Sequence, residues 1–301
     1  MITPLQSGLQ WLFLRAEALF NRAFGDRLNP YYHLGSITFF LFWIVAGTGL
    51  YLFAFFDTSV SGAYRSVEAL TVNQWFAGGV IRSVHRYASD AMVVTMGIHL
   101  ARHFAFNRLR GFRWFSWITG VVLIWMVYTA GANGYMLPWD QLAQYVTVAS
   151  FEWLDWLPMF GGALSRNFIY TTSVNDRLFS LLVFIHIGVP LFTLLLMWVH
   201  VQRVPRAATQ PPRPVALSVA AMLLALAVVL PVASQGGPAC RACRRRSPSD
   251  LLASRGTSRS TSAIPYHRHR QWRRSSSAES HRGHFAGHRS PPPQRRASDR
   301  G

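Results

Sequence analysis

The sequence predicts an all-α integral membrane protein: a four-helix transmembrane bundle, a fifth transmembrane helix, and a disordered basic tail. Three observations carry this. Half of the 301 residues are hydrophobic, and five segments have the length and apolarity to cross a bilayer core of about 30 Å, which takes about 20 helical residues. Charge is unevenly divided. Of the formal net charge of +18, residues 1–234 hold 15 Arg against 9 acidic residues, and residues 235–301 hold 15 Arg against 3. The basicity therefore belongs mostly to the tail, and no nucleic-acid binding is expected of the body.

Residues 1–30 interleave Leu9, Trp11, Leu12, Leu14, Leu19 and Phe20 with Arg15, Glu17, Arg22 and Arg27. Without a continuous apolar core this is no cleaved signal peptide, and it reads as an amphipathic helix on the membrane surface. The first span, 34–56, has no charge. The second, 80–106, is less apolar and contains Arg82, Arg86, Asp90, His99 and Arg102. The third covers 115–135 and the fourth 178–201. The fifth, 215–233, follows the helix-stopping prolines Pro211, Pro212 and Pro214. Between the third and fourth spans, residues 138–177 are rich in Trp, Phe and Leu, which predicts short amphipathic helices on the outer face. The units expected are thus 1–30, a four-helix domain over 31–205, the fifth helix over 206–235, and the tail over 236–301. That tail is Arg, Ser, His, Pro and Gly without periodicity, a composition that cannot offset its ordering entropy. The abrupt loss of hydrophobic pattern after Gln235 reads as a frame shift or truncation in the gene.

Arginines cluster before the first span (Arg15, Arg22, Arg27), between the second and third (Arg108, Arg110, Arg113), and between the fourth and fifth (Arg203, Arg206, Arg213). The positive-inside rule then puts the N-terminus in the cytoplasm of a bacterial-type inner (plasma) membrane. The second and fourth spans run in the same direction.

Those two parallel spans carry the chemistry. His85 and His99 are fourteen residues apart, as are His186 and His200. Fourteen residues rise roughly 21 Å and return to nearly the same helix face. His85 should therefore face His186 near the outer surface, and His99 should face His200 near the inner one. A histidine inside a bilayer is costly and has a partner or a task. Four at matched heights point to two metal centres with bis-imidazole ligation, which closes both axial positions and suits electron transfer over oxygen chemistry. Glycines repeat the interval, with Gly35 and Gly49 on the first span and Gly120 and Gly134 on the third. A flat macrocycle wedged between helices needs such positions without a side chain. Arg82 precedes His85 by three residues and Arg102 follows His99 by three; both point to a membrane surface, where the propionates of a haem would sit. Arg86 and His103 read as interfacial, and Asp90 as the salt-bridge partner of Arg86 one turn earlier. The two cysteines, Cys240 and Cys243, lie in the tail, so the body holds no disulfide, no thiolate-bound cluster and no covalently attached haem.

With these residues in view, positions 30–235 resemble the N-terminal half of the cytochrome b family, the membrane subunit of quinol–cytochrome c reductases. The resemblance rests on Gly35-Ser36, Thr48-Gly49, Arg82-x-x-His85, His99-x-x-Arg102, Gly134-Tyr-Met-Leu-Pro-Trp139, and His186 with Pro190 and His200. Leu137-Pro138-Trp139-Asp140-Gln141 is similar to the branch shared with cytochrome b6. The resemblance implies two non-covalent b haems, high-potential near the cytoplasm and low-potential near the outside. These would be contacted by the four histidines, Arg82, Arg102, the four glycines and Ser36. It also implies a homodimer working with a Rieske iron–sulfur protein and a c-type cytochrome, with quinol and quinone as substrates. The family's Pro-Glu-Trp-Tyr-type motif has no match in the sequence. The part that carries it would be a separate C-terminal cytochrome b subunit or be lost to the frame shift. The function expected is the cytochrome b subunit of a respiratory quinol–cytochrome c oxidoreductase. Its rivals are a dihaem membrane anchor serving a peripheral dehydrogenase and a truncated, non-functional cytochrome b.

Overall fold

The computed structural model describes residues 3–168, 176–204 and 207–237, and every described element is helical. Apart from Gly236 and Gly237, the expected disordered tail, with both cysteines, lies outside the described residues. Helix α1 (Pro4–Phe24) starts at a reciprocal cap, in which Thr3 accepts from the Gln6 N–H while the Gln6 side chain accepts from the Thr3 N–H. Leu5, Trp11, Leu12, Leu14 and Leu19 stay exposed on it, while Gln6, Phe13 and Glu17 are buried. That is the two-faced pattern of a surface helix.

The long helices are α2 (Leu34–Phe55), α4 (Val80–Ala105), α5 (Trp114–Met136) and α8 (Asp176–Gln202). Among them α2, α5 with its leading turn, and α8 are long and apolar enough to cross a membrane by themselves. Helix α4 has the length, but its arginines, histidines and Asp90 lower its hydropathy below a free-standing span. It is sheltered by neighbours, packing along α2, α1 and α9 (Arg213–Val229). Helix α9 has 17 residues, shorter than the 215–233 expected, because Leu230 precedes Pro231 and a residue before proline is pushed out of helical geometry. Its length sits at the low end for a span.

Two antiparallel pairs, α2 with α4 and α5 with α8, make up the bundle. Ile37, Leu41, Phe42, Ala88, Met92, Met96, Leu123, Val127, Met197 and Leu223 form one core through its middle. Large apolar side chains left on the outside, among them Trp43, Trp125, Phe184, Phe192 and Trp198, are 52–75 % exposed and face where lipid would be.

The connection after α5 holds two further helices, α6 (Gln141–Asp155) and α7 (Ala163–Phe168). The chain enters α6 through Trp139, whose φ of 53° is left-handed and strained for a bulky residue. What holds it is burial against Phe179 (ring centroids 4.9 Å apart) and the following Asp140, which accepts from the Ala143 N–H as the cap of α6. Helix α3 (Ala63–Asn73) and a π-helical turn over Trp75–Gly79 lead into α4. The turn places Gly78 and Gly79 against the carbonyls of Leu70 and Thr71, where a Cβ would come within 2.5–3.0 Å.

Candidate functional site

Each of the four glycines faces one histidine of its partner helix. On the α2–α4 pair, a Cβ at Gly35 would lie 3.1 Å from the His99 ring, and one at Gly49 would lie 3.0 Å from the His85 ring. On the α5–α8 pair, a Cβ at Gly120 would lie 3.4 Å from His200, and one at Gly134 would collide with Cε1 of His186. The numbering runs in opposite directions along each pair, as antiparallel helices require. At Gly35, Gly49 and above all Gly134 a side chain would crowd the imidazole, which lies almost against the neighbouring backbone, whereas at Gly120 the contact would be ordinary.

The same backbone fixes the rings. His186 Nδ1 sits 2.8 Å from the Ala130 carbonyl, and His85 Nδ1 sits 3.1 Å from the Val45 carbonyl and 3.1 Å from Thr48 Oγ1. His200 Nδ1 is 2.8 Å from Thr119 Oγ1, whose own proton goes to the Phe115 carbonyl. A carbonyl accepts only, so Nδ1 carries the proton and Nε2 keeps its lone pair. Metal-binding imidazoles are held in this way, with the far nitrogen donating to a carbonyl or similar group.

Across the bundle, the ring centroids of His85 and His186 are 6.3 Å apart. Metal–imidazole bonds of about 2.0–2.1 Å on both sides of one ion would set the centroids just over 6 Å apart. His99 and His200 lie at the other level of the two helix pairs, against Gly35 and Gly120. Among the described residues no group of three or more His, Cys, Asp or Glu converges to hold a bare metal ion. These imidazole pairs would instead hold the metal of a macrocycle that brings its own remaining ligands. The glycine-lined gaps and the protonation pattern both fit such a group.

The two arginines are each engaged by protein. Arg82, 9 % exposed, donates to Thr71 Oγ1 (2.7 Å) and Ser234 Oγ (3.1 Å) and lies 3.9 Å from Glu68 Oε1. Arg102 Nε donates to Glu17 Oε1 at 2.7 Å, an ion pair with both side chains mostly buried. Ser36 is buried and donates its hydroxyl to the His33 carbonyl at the start of α2. Arg86 and Asp90 pair at 3.0 Å on an exposed face. Sequence reasoning missed three features. His103 meets the His99 ring edge to face with centroids 4.5 Å apart, and its position one turn after His99 is the signal that could have found it. Glu17 and Glu68, on the surface helix α1 and on the short helix α3, gave no spacing that linked them to the arginines. Thr119, beside Gly120, carried no signal in the sequence that linked it to His200.

Outside the bundle, Arg108 lies beside Arg102 and Arg113; partial burial, then these two like charges, lowers its pKa, which Glu17 partly opposes.

Comparison with known proteins gives three concordant matches. The family model described as cytochrome b/b6/petB matches residues 20–207. A cytochrome b6 of Tupiella akineta is 30 % identical over 189 residues, which cover 62 % of this chain and 86 % of that protein. A solved structure described as a hyperthermophilic respiratory Complex III matches in fold with a TM-score of 0.55 at 18 % identity, over 73 % of this chain; this chain covers 65 % of the matched one, just under two thirds of its length. The matched family region contains all four histidines, all four glycines and both arginines, and on that ground this integral membrane chain belongs to the cytochrome b/b6 family.

Proposed function

We propose that the chain is the cytochrome b subunit of a respiratory quinol–cytochrome c oxidoreductase and holds two b haems. Membership of the cytochrome b/b6 family implies haem b. The finer reading assigns His85 and His186 to an outer haem, and His99 and His200 to an inner one. When bound, the two haems would supply one-electron redox chemistry at two depths, and with it a path for electrons between a quinol and a quinone on opposite faces.

The chain's own residues do the rest. The Val45 and Ala130 carbonyls and Thr119 hold the imidazole protons at Nδ1, so that Nε2 points its lone pair at the centre. Gly35, Gly49, Gly120 and Gly134 let the rings lie close to the partner helix. Arg82 and Arg102 carry fixed positive charge to the two ends of α4, where propionates would meet them, and Ser36 braces the inner end of α2. The observation that carries the reading is the 6.3 Å separation of the His85 and His186 rings, both with Nδ1 tied to backbone. Moving one charge across the membrane is worth about 2.3 kcal/mol per 100 mV, so a two-level carrier couples redox chemistry to the membrane potential.

The partners that go with this role are a Rieske iron–sulfur protein, a c-type cytochrome, a second copy of the chain, and a chain carrying the C-terminal half of cytochrome b. The orientation that goes with it has α1 and the Arg108–Arg113 loop on the cytoplasmic side of a bacterial-type inner membrane. The test is spectroscopic. Reduced membranes should show a b-type spectrum with two midpoint potentials; H99L should remove one component and H85L the other. A variant that retains both components contradicts the ligand assignment.

A further inference from the structure

The stretch that follows α9 is bonded into the outer end of the bundle. Tyr87 donates its hydroxyl to the Leu230 carbonyl (2.5 Å), and Ser83 Oγ accepts from the Val232 N–H (3.0 Å). Asp140 Oδ2 accepts from the Gln235 N–H (2.7 Å), and the Gly236 carbonyl accepts from the Gln141 N–H (3.3 Å). Ser83 and Tyr87 flank His85 on α4, and Asp140 caps α6. Residues 230–236 are thus tied to the helix that carries His85 and to the start of α6.

In the middle of this stretch Ser234 meets Arg82. Its hydroxyl accepts from the guanidinium (3.1 Å) and donates to Glu68 Oε1 (2.5 Å), while Arg82 itself stays 3.9 Å from that carboxylate. The serine therefore relays the contact between a buried cation and its counter-charge. Two of the five guanidinium N–H donors are committed to Thr71 and Ser234, which fixes the rotamer of Arg82 three residues from His85.

We propose that Ser234 and Glu68 are positioning residues for Arg82 at the outer haem level, so that the segment after α9 forms part of that site. The proposal rests on the reading that His85 and His186 hold a haem. Ser234 fixes where the cation stands, and Glu68 offsets part of its charge. A haem that gains an electron loses one unit of positive charge, so a less compensated Arg82 favours the reduced form. The field of one charge across a partly buried site is strong enough to be read as a change in potential.

The test uses the full chain in membranes, titrating b-type absorbance against potential. E68Q should shift the outer component, identified as the one that H186L removes, about tenfold toward the reduced form, a rise of about 59 mV for one electron. S234A should move the same component, S234T should leave it where it is in the unsubstituted chain, and the inner component should stay fixed throughout. If E68Q and S234A titrate like the unsubstituted chain, or if both components move together, the positioning role is overturned while the haem reading stands. If the unsubstituted chain lacks two components, or H186L leaves both, the haem reading itself falls. Should S234A bind no haem, E68Q, which keeps the side-chain volume, decides on the same criteria.

Discussion

Replacing Gly134 by alanine separates what the fold needs from what the site needs. The added methyl would collide with Cε1 of His186 and lie 2.9 Å from its Nδ1 and 3.2 Å from its Nε2, inside the 3.4 Å at which ordinary contact begins. A shift of about 1 Å relieves the clash, and it also stretches the 2.8 Å bond to the Ala130 carbonyl beyond hydrogen-bonding range. Without haem the ring swings aside cheaply. With haem bound as proposed, Nε2 would be held as well and the ring could not move. Overpacking costs about 1–3 kcal/mol and the lost hydrogen bond about 1 kcal/mol, both charged to the loaded state. At 1.4 kcal/mol per factor of ten, haem affinity should fall roughly 30- to 700-fold. Gly131, one turn earlier, has nothing within 4 Å; G131A should be neutral or gain up to about 1 kcal/mol from helix propensity. The assay is haem per polypeptide from reduced-minus-oxidised spectra, beside thermal unfolding of the haem-free protein in detergent. G134A should lose the outer component while haem-free stability stays near that of G131A. Full haem occupancy in G134A, or an equal fall in haem-free stability, would refute the reasoning.

Other outcomes follow from the same geometry. G49A and G35A, at 3.0 and 3.1 Å, should lose less haem than G134A, and G120A, at 3.4 Å, least of all, as scored by the same spectra. T119V removes the acceptor for the His200 Nδ1 proton, which weakens the electron-donating character of that imidazole; the inner component should titrate about 30 mV higher, a threefold change, with the outer one unmoved. E17Q takes the counter-charge from the buried Arg102 at a cost of about 2 kcal/mol. Helix α1 should loosen, which faster proteolysis near Gly25 would report, while the outer spectrum is retained.

The transmembrane architecture was legible because lipid imposes a coarse rule: long apolar stretches must be helices. The boundaries expected for α4, α5 and α8 agree with the structure to within a residue or two, and that of α9 fails at Pro231, where a local backbone rule overrides apolar composition. The Gly–His interval was legible because it is a helical repeat, and repeats survive in one dimension. What could not be read were contacts made by residues with no periodic relation. Helix α3 is polar and short, and the π-helical turn at Trp75–Gly79 has no hydropathic signature. Glu17 meets Arg102 across 85 positions and Ser234 meets Glu68 across 166, and no spacing rule connects such partners. The sequence placed both arginines near the ends of their helix, but not the carboxylates of Glu68 and Glu17 that lie beside them.

The pairing of glycine with histidine also constrains how the bundle can move. Gly35 and Gly49 on α2 serve His99 and His85 on α4, and Gly120 and Gly134 on α5 serve His200 and His186 on α8. Each antiparallel pair therefore carries one complementary contact at both depths. Sliding either partner by a single residue, about 1.5 Å, would bring a side chain against the imidazoles at both levels at once. A change that disturbs register in the membrane interior thus strikes both histidine levels together, whereas a change that touches one end of α4, at Glu17 beside Arg102 or at Ser234 beside Arg82, strikes one alone. This is why substitutions at the ends of α4 are the informative ones. They perturb a single level, and the other, fourteen residues away on the same helix, serves as the internal control.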